Sequence, residues 1–437
     1  MRTSLLFGLV VSSAIKEKVR SFGSRGNSFK VILACDTDER RCDEVEDSIK
    51  AATGFIENVL VLSKQVVVKA TYLKKSEEGL WDDDNSLGLG TAELITKAEG
   101  SVSYQMPRAL FKQVNRRNIK DGPDIILDIN PNVDMFVLNG KDQQSKHQYS
   151  LLDVISHELL HGMGFFTSFG KVAKNTNISP DIVRIDGDQT TDVVDFRISY
   201  FDKYIYTTEG PISDYIDRMN KYRILQKPKN PTDEYELLKP HVSITTEIEN
   251  LASNRHALYF KLANGTQIFL ETSRRYAEGN SITHLDFAYR TTQDELMVRS
   301  AKVGDGVHRR AHDKSWVTSP YGPDTLAILE TMGYKLKTDA SFENSLGGYM
   351  ASKYPTHMPA QVSHPHVPKT SKDAHSRKKQ TSRGNNAPSA TGPVKEKSDK
   401  RIPLKPNSRS MSKDRSPKDQ AVDLKNARAT LRPTKKK

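Results

Sequence analysis

His157-Glu158-Leu159-Leu160-His161-Gly162-Met163-Gly164-Phe165 is the stretch on which the reading of the whole chain turns. On a helix, positions i and i+4 lie on one face, so both imidazoles can point at one cation. Zinc (Zn2+) accepts two such nitrogens, needs at least one more protein ligand, and keeps a position for water. Glu158, beside the first His, places a carboxylate where it can take that water's proton. The glycines after His161 let the chain leave the helix sharply and carry a ligand back from elsewhere. With 12 His and 21 Glu among 437 residues, composition alone yields only ~0.02 such five-residue patterns. The bland alternative, two histidines on a helix face around an unrelated Glu, is the weaker reading.

Outward from this motif, residues 150–161 carry Leu151, Leu152, Val154, Ile155, Leu159 and Leu160 at helical spacing and stop at Gly162 and Gly164. Upstream, 29–34 (FKVILA) and 66–73 (VVVKATYL) read as strands. Residues 43–62 between them read as a helix through Val45, Ile49, Ala52 and Ile56. Residues 124–129 (DIILDI), continuing into 135–138, read as a third strand, with an edge along which an extended peptide can pair. Strand–helix–strand order predicts an α+β fold with helices on a twisted mixed sheet. Residues 168–280 show no clear period, and 325–332 form a short helix closed by Gly333.

The third ligand is not local. A His six residues after His161 would complete a long zinc motif, but Thr167 stands there. The remaining candidates before the tail are His147, His241, His256, His284, His308 and His312. The stretch Gly279-Asn280-Ser281-Ile282-Thr283-His284-Leu285-Asp286, with Asp294-Glu295-Leu296-Met297 after it, resembles the leishmanolysin family of metzincin zinc proteases. Related secreted bacterial and fungal proteins share the His-Glu-x-x-His-Gly-x-Gly-Phe motif. The resemblance implies a metzincin-like protease domain, with His284 as the distant third zinc ligand and Met297 in the turn beneath the metal. Residues 321–334 resemble the helix that closes such domains. The likeness runs in pieces from about residue 42 to 334. It departs from the family in the 122 residues between His161 and His284, a longer insertion than is usual there. Without the family, His284 reads as a surface or hydrogen-bonded His, and Met297 as an ordinary core methionine.

Charge divides the chain. Residues 361–437 hold 21 Lys+Arg against six acids, a net of +15, while 1–360 hold 45 against 48, a net of −3. The tail lacks aromatic residues and carries eight of the 20 prolines. It cannot bury enough apolar area to offset the entropy of ordering, so 355–437 is expected to be disordered. An anionic surface or polymer suits its charge, whereas nucleic acid is disfavoured as the primary partner because no aromatic side chain is there to stack on bases. At the other end, Arg2, the apolar run 5–11 and the small residues 12–14 describe a secretory signal over 1–14; a short uncleaved apolar terminus is the alternative. No later apolar run approaches a membrane span. In an oxidising compartment Cys35 and Cys42 are expected to pair, and Asn177-Ile178-Ser179 and Asn264-Gly265-Thr266 fit the N-glycosylation acceptor pattern.

The expectation is therefore a secreted zinc endopeptidase acting on protein or peptide, with its catalytic domain over 28–350 and an insertion at about 168–280. His157, His161 and His284 would hold the metal, and Glu158 would be the general base. The competing reading is a non-catalytic zinc-fold binding or surface protein that works through its basic tail. An intact Glu158 speaks against it, since a scaffold has no need of that carboxylate.

Overall fold

A computed structural model describes residues 18–338, less 25, 75–80, 82–85, 101, 117–118, 120–121, 138–144, 146, 172–176, 186–190, 223, 227–237, 273–274, 302 and 305–318. The expected leader, the basic tail, His308 and His312 lie outside the described residues. What is described is a mixed α+β fold with several sheets and six α-helices.

The helices are α1 (Glu39–Val59), α2 (Arg108–Asn115), α3 (Leu151–Gly162), α4 (Ser213–Asn220), α5 (Val242–Ala252) and α6 (Pro323–Met332). The strands that organise the chain are β1 (Lys18–Gly23), β2 (Phe29–Cys35), β3 (Val66–Tyr72), β4 (Gly88–Ala92), β5 (Leu94–Glu99) and β6 (Val102–Pro107). They continue as β7 (Ile125–Ile129), β8 (Asp181–Ile185), β9 (Thr191–Ser199), β10 (Tyr259–Lys261) and β11 (Gln267–Phe269). The first sheet runs β1-β2-β3-β7-β4. Its β2, β3 and β7 are parallel, and β1 and β4 close it as antiparallel edges.

The alternation of buried and exposed residues in β3 is the period of a half-covered strand, and β2 and β7 are more continuously apolar, as central strands should be. Helix α1 begins at Asp38, whose carboxylate accepts the Arg41 amide at 2.9 Å. That cap places its start four residues before the apolar periodicity does, because capping residues are polar and carry no period. Its buried stripe of Cys42, Val45, Ile49, Ala52, Phe55, Ile56 and Val59 packs with α3, which also lies against β4 and β7. Each fully buried Leu or Ile of α3 contributes roughly 1.5–3 kcal/mol, as an upper estimate.

One expectation is corrected. The strand at 125–129 is interior, paired with β3 on one side and β4 on the other, so it offers no free edge. Met135–Phe136 is not its continuation; it pairs in parallel with Tyr149–Ser150, just ahead of α3. Among the described residues, the edge beyond the 125–129 strand is β4, which the sequence pattern did not mark, because Gly88 and Gly90 break its apolar run.

The aperiodic stretch 168–280 does not stand apart. β9, which follows α3 in the chain, pairs in parallel with β6, which precedes it, and β8 adds to β9 antiparallel, giving a second sheet β8-β9-β6-β5. Helices α4 and α5 carry buried Tyr215, Ile216, Met219, Ile244 and Ile248. The hairpin β10–β11 leads directly into the segment that bears His284. Cys35 and Cys42 form a disulfide between the end of β2 and the first turns of α1. Among the described residues, no helix is long and apolar enough to cross a membrane.

Candidate metal centre

Helix α3 starts at Ser150, whose hydroxyl accepts the Asp153 amide at 3.3 Å. One turn apart on its face, His157 and His161 bring their Nε2 atoms to 3.0 Å. The helix ends because Gly164 takes φ +116°. A Cβ there would meet Pro107 at 2.5 Å and Met332 at 2.9 Å, so glycine alone fits the reversal. The returning chain presents the Phe165 carbonyl to His161, whose Nδ1–H donates to it across 2.6 Å. That segment is held in turn by buried Asp202. Its Oδ2 accepts the Ser168 amide and hydroxyl at 2.9 and 2.8 Å and the Ser199 amide at 3.0 Å.

His284 arrives from 123 positions further along the chain (284 − 161). Its loop is laced to the strand end beyond β11: Glu271 N–H donates to the His284 carbonyl at 2.7 Å and Ile282 N–H to the Glu271 carbonyl at 2.8 Å. Ile282, fully buried, sits at φ +69°. A β-branched residue there stores about 1–3 kcal/mol of strain, held by the packing around it. The result is that His284 Nε2 lies 3.1 Å from His157 Nε2.

All three rings are oriented the same way. His157 Nδ1–H donates to the Leu296 carbonyl at 2.5 Å and His284 Nδ1–H to the Asn280 carbonyl at 3.1 Å, as His161 does to Phe165. With Nδ1 as donor in each ring, each Nε2 turns a lone pair inward, and three lone pairs cannot satisfy one another. Burial lowers the His161 pKa to about 3 and that of His284 well below the usual imidazole range. Three imidazole nitrogens converging this way suit zinc. Bonds of 2.0–2.1 Å at tetrahedral angles would separate the nitrogens by about 3.3 Å, close to the 3.0 and 3.1 Å found. His157, His161 and His284 are the group of potential metal ligands found among the described residues.

Met297 is fully buried in the short turn Glu295–Met297, and its neighbour Leu296 supplies the carbonyl under His157. The Met297 carbonyl accepts the Leu285 amide at 2.9 Å, which ties this turn to the His284 segment. Thr167 is no ligand; its hydroxyl accepts the Phe169 amide at 3.2 Å in the returning loop. The other described histidines lie elsewhere. His147 is exposed, His241 is buried edge-on against Phe196, and His256 stacks on Phe269 beside Asp286.

Glu158 reaches β4. Its Oε2 accepts the Gly90 amide at 2.7 Å, and burial pushes its carboxyl pKa up. A Cβ on Gly90 would lie 1.9 Å from the Glu158 carbonyl oxygen, so only glycine lets the strand come this close. Gly90 is a site residue that the motif reading missed. The glycine pair Gly88-Leu89-Gly90 was the available signal, since glycines inside a strand mark close backbone approach. The three ligand-orienting carbonyls and Asp202 carried no such signal. Of the two acceptor motifs, Asn177 is half-buried beside α5 and Asn264 is exposed on the β10–β11 turn.

The chain belongs to the SPBPB7E8-like family, whose model matches residues 9–253 and 201–366. No curated protein and no solved structure matches it.

Proposed function

We propose that this chain is a secreted zinc endopeptidase of metzincin type, similar to the leishmanolysin family, that hydrolyses peptide bonds in protein or peptide substrates. The observation that carries the reading is the convergence of three Nε2 lone pairs, each fixed by a backbone carbonyl at the opposite ring nitrogen, with the half-buried Glu158 next to His157 in the chain. His157, His161 and His284 would hold the ion. Zinc bound there supplies a Lewis acid that makes water nucleophilic near neutral pH and polarises the scissile carbonyl.

The chain's own residues do the rest. Glu158 takes a proton from the attacking water and returns it to the leaving amine nitrogen. The Gly90 amide fixes the carboxylate's orientation through one oxygen. Edge strand β4, which carries Gly90, is the rail along which an extended substrate would pair.

The test is Glu158→Gln in the full chain, with zinc content and peptide hydrolysis measured together. Zinc at one per chain with hydrolysis down by about 10²–10⁴ is expected. Undiminished hydrolysis removes Glu158 from the mechanism, and a parent chain that takes up no zinc removes the whole reading.

A further inference from the structure

The two N-glycosylation acceptor motifs are chemically alike in sequence and stand in opposite environments. Asn264, Gly265 and Thr266 form the exposed turn between β10 and β11. The turn is closed by Gly265 N–H to the Leu262 carbonyl and Leu262 N–H to the Thr266 carbonyl, both at 2.9 Å. Gly265 holds φ +88°, and a Cβ there would meet nothing within 4 Å, so the tip projects into open space. The Asn264 carboxamide oxygen accepts the Thr266 amide at 2.9 Å, folding the side chain back toward Thr266. Among the described residues, the Asn264 Nδ2 and the Thr266 hydroxyl have no hydrogen-bond partner.

Asn177 differs in every one of these respects. Its Nδ2 donates to the Thr246 hydroxyl of α5 at 2.6 Å, and that hydroxyl donates to the Val242 carbonyl at 2.7 Å. Ile178 and Ser179 are fully buried in a two-residue strand paired with Gly170–Lys171. The Ser179 hydroxyl is turned to the Pro180 carbonyl at 3.1 Å. Pro180 also confines Ser179 to extended backbone, away from the turn that brings a hydroxyl to the carboxamide two residues before it. Transfer acts on the emerging chain, where Pro180 already disfavours the turn at Asn177, and the fold decides which glycan is then carried without strain. One on Asn264 costs the fold nothing, whereas one on Asn177 must be accommodated against α5.

We infer that Asn264 is the chain's N-glycan acceptor and that Asn177 stays unmodified. In the transfer, Asn264 Nδ2 bonds to the anomeric carbon of an oligosaccharide carried on a lipid pyrophosphate. The anomeric C–O bond breaks, the lipid pyrophosphate leaves, and Nδ2 gives up one proton. The donor and its transferase belong to the secretory route, so this inference rests on the expected leader at 1–14.

The full chain, translated with microsomes, tests both points separately. Protease protection reports entry, and an endoglycosidase-sensitive shift on a gel reports the glycan. One shift is expected in the parent, retained in Asn177→Gln and lost in both Asn264→Gln and Thr266→Ala, the last of which leaves the asparagine in place. A protected chain without the shift, or a shift that survives in Asn264→Gln, overturns the inference. A chain that remains digestible overturns it through the leader instead, and protease protection tells the two failures apart.

Discussion

The Gly90 amide and the Glu158 carboxylate meet across 2.7 Å, joining the edge strand of the first sheet to the helix that bears His157 and His161. The contact exists because Gly90 has no side chain, and it places the proposed general base and the proposed substrate rail in one rigid unit. A change at either residue is felt by the other.

Gly90→Ala puts a methyl group into the Glu158 backbone, so β4 and α3 must separate. Overpacking of this kind costs about 1–3 kcal/mol. The urea midpoint should fall accordingly, and peptide hydrolysis should fall further than the loss of folded protein explains. A variant as stable and active as the parent would refute the close approach.

His284→Ala removes the proposed ligand that comes from outside α3. Zinc affinity should drop by more than about 100-fold, the upper range for loss of merely orienting partners. His147→Ala, on an exposed residue, should leave it unchanged. Competition with a chromogenic chelator reads both, and equal zinc affinity in parent and His284→Ala removes His284 from the site.

The Cys35–Cys42 disulfide closes a loop of eight residues, counted from its separation of seven. The chain-entropy relation assigns it about 2.5 kcal/mol. The double variant Cys35→Ser, Cys42→Ser should unfold at lower temperature than the parent under non-reducing conditions, and reductant should lower the parent's transition toward that of the variant.

His241 lets the acid limb of stability be predicted with its sign. Burial lowers its pKa below 6.5, and among the described residues neither ring nitrogen has a hydrogen-bond partner. Below pH 6.5 the unfolded chain therefore binds a proton that the folded chain refuses, so stability is full above 6.5 and declines as pH falls. The decline per proton reaches about 1.4 kcal/mol per pH unit. His241→Phe keeps a ring against Phe196 and removes the proton, so its stability should fall less steeply below pH 6.5 in denaturant titrations. An unchanged slope would show that His241 carries no linkage.

Much of this was legible in the chain itself. The apolar periods of 29–34, 43–62 and 66–73 mark β2, α1 and β3 to within a few residues, because alternation and helical spacing are properties of consecutive side chains. Cys35 and Cys42 face each other across a short turn that their spacing permits. Residues 168–280 resisted because their strands find partners far away: β9 pairs with β6, and its pattern makes sense only beside it. The edge was misplaced at 124–138 for the same reason, since which strand ends a sheet depends on all the others.

By itself, the sequence determined that His157 and His161 share a helix face with a carboxylate between them, because a helix converts a spacing of four into adjacency without help from any distant residue. The sequence pointed to the third nitrogen, 123 positions beyond His161 (284 − 161), only through a family resemblance, and tertiary structure brought it beside the other two and set the ring orientations. Those orientations come from the carbonyls of Phe165, Asn280 and Leu296, backbone atoms that every residue type possesses and no motif can mark. Tertiary structure also decided that Gly90 carries the edge strand to Glu158, an approach defined by the absence of a side chain and meaningful only once sheet and helix are packed.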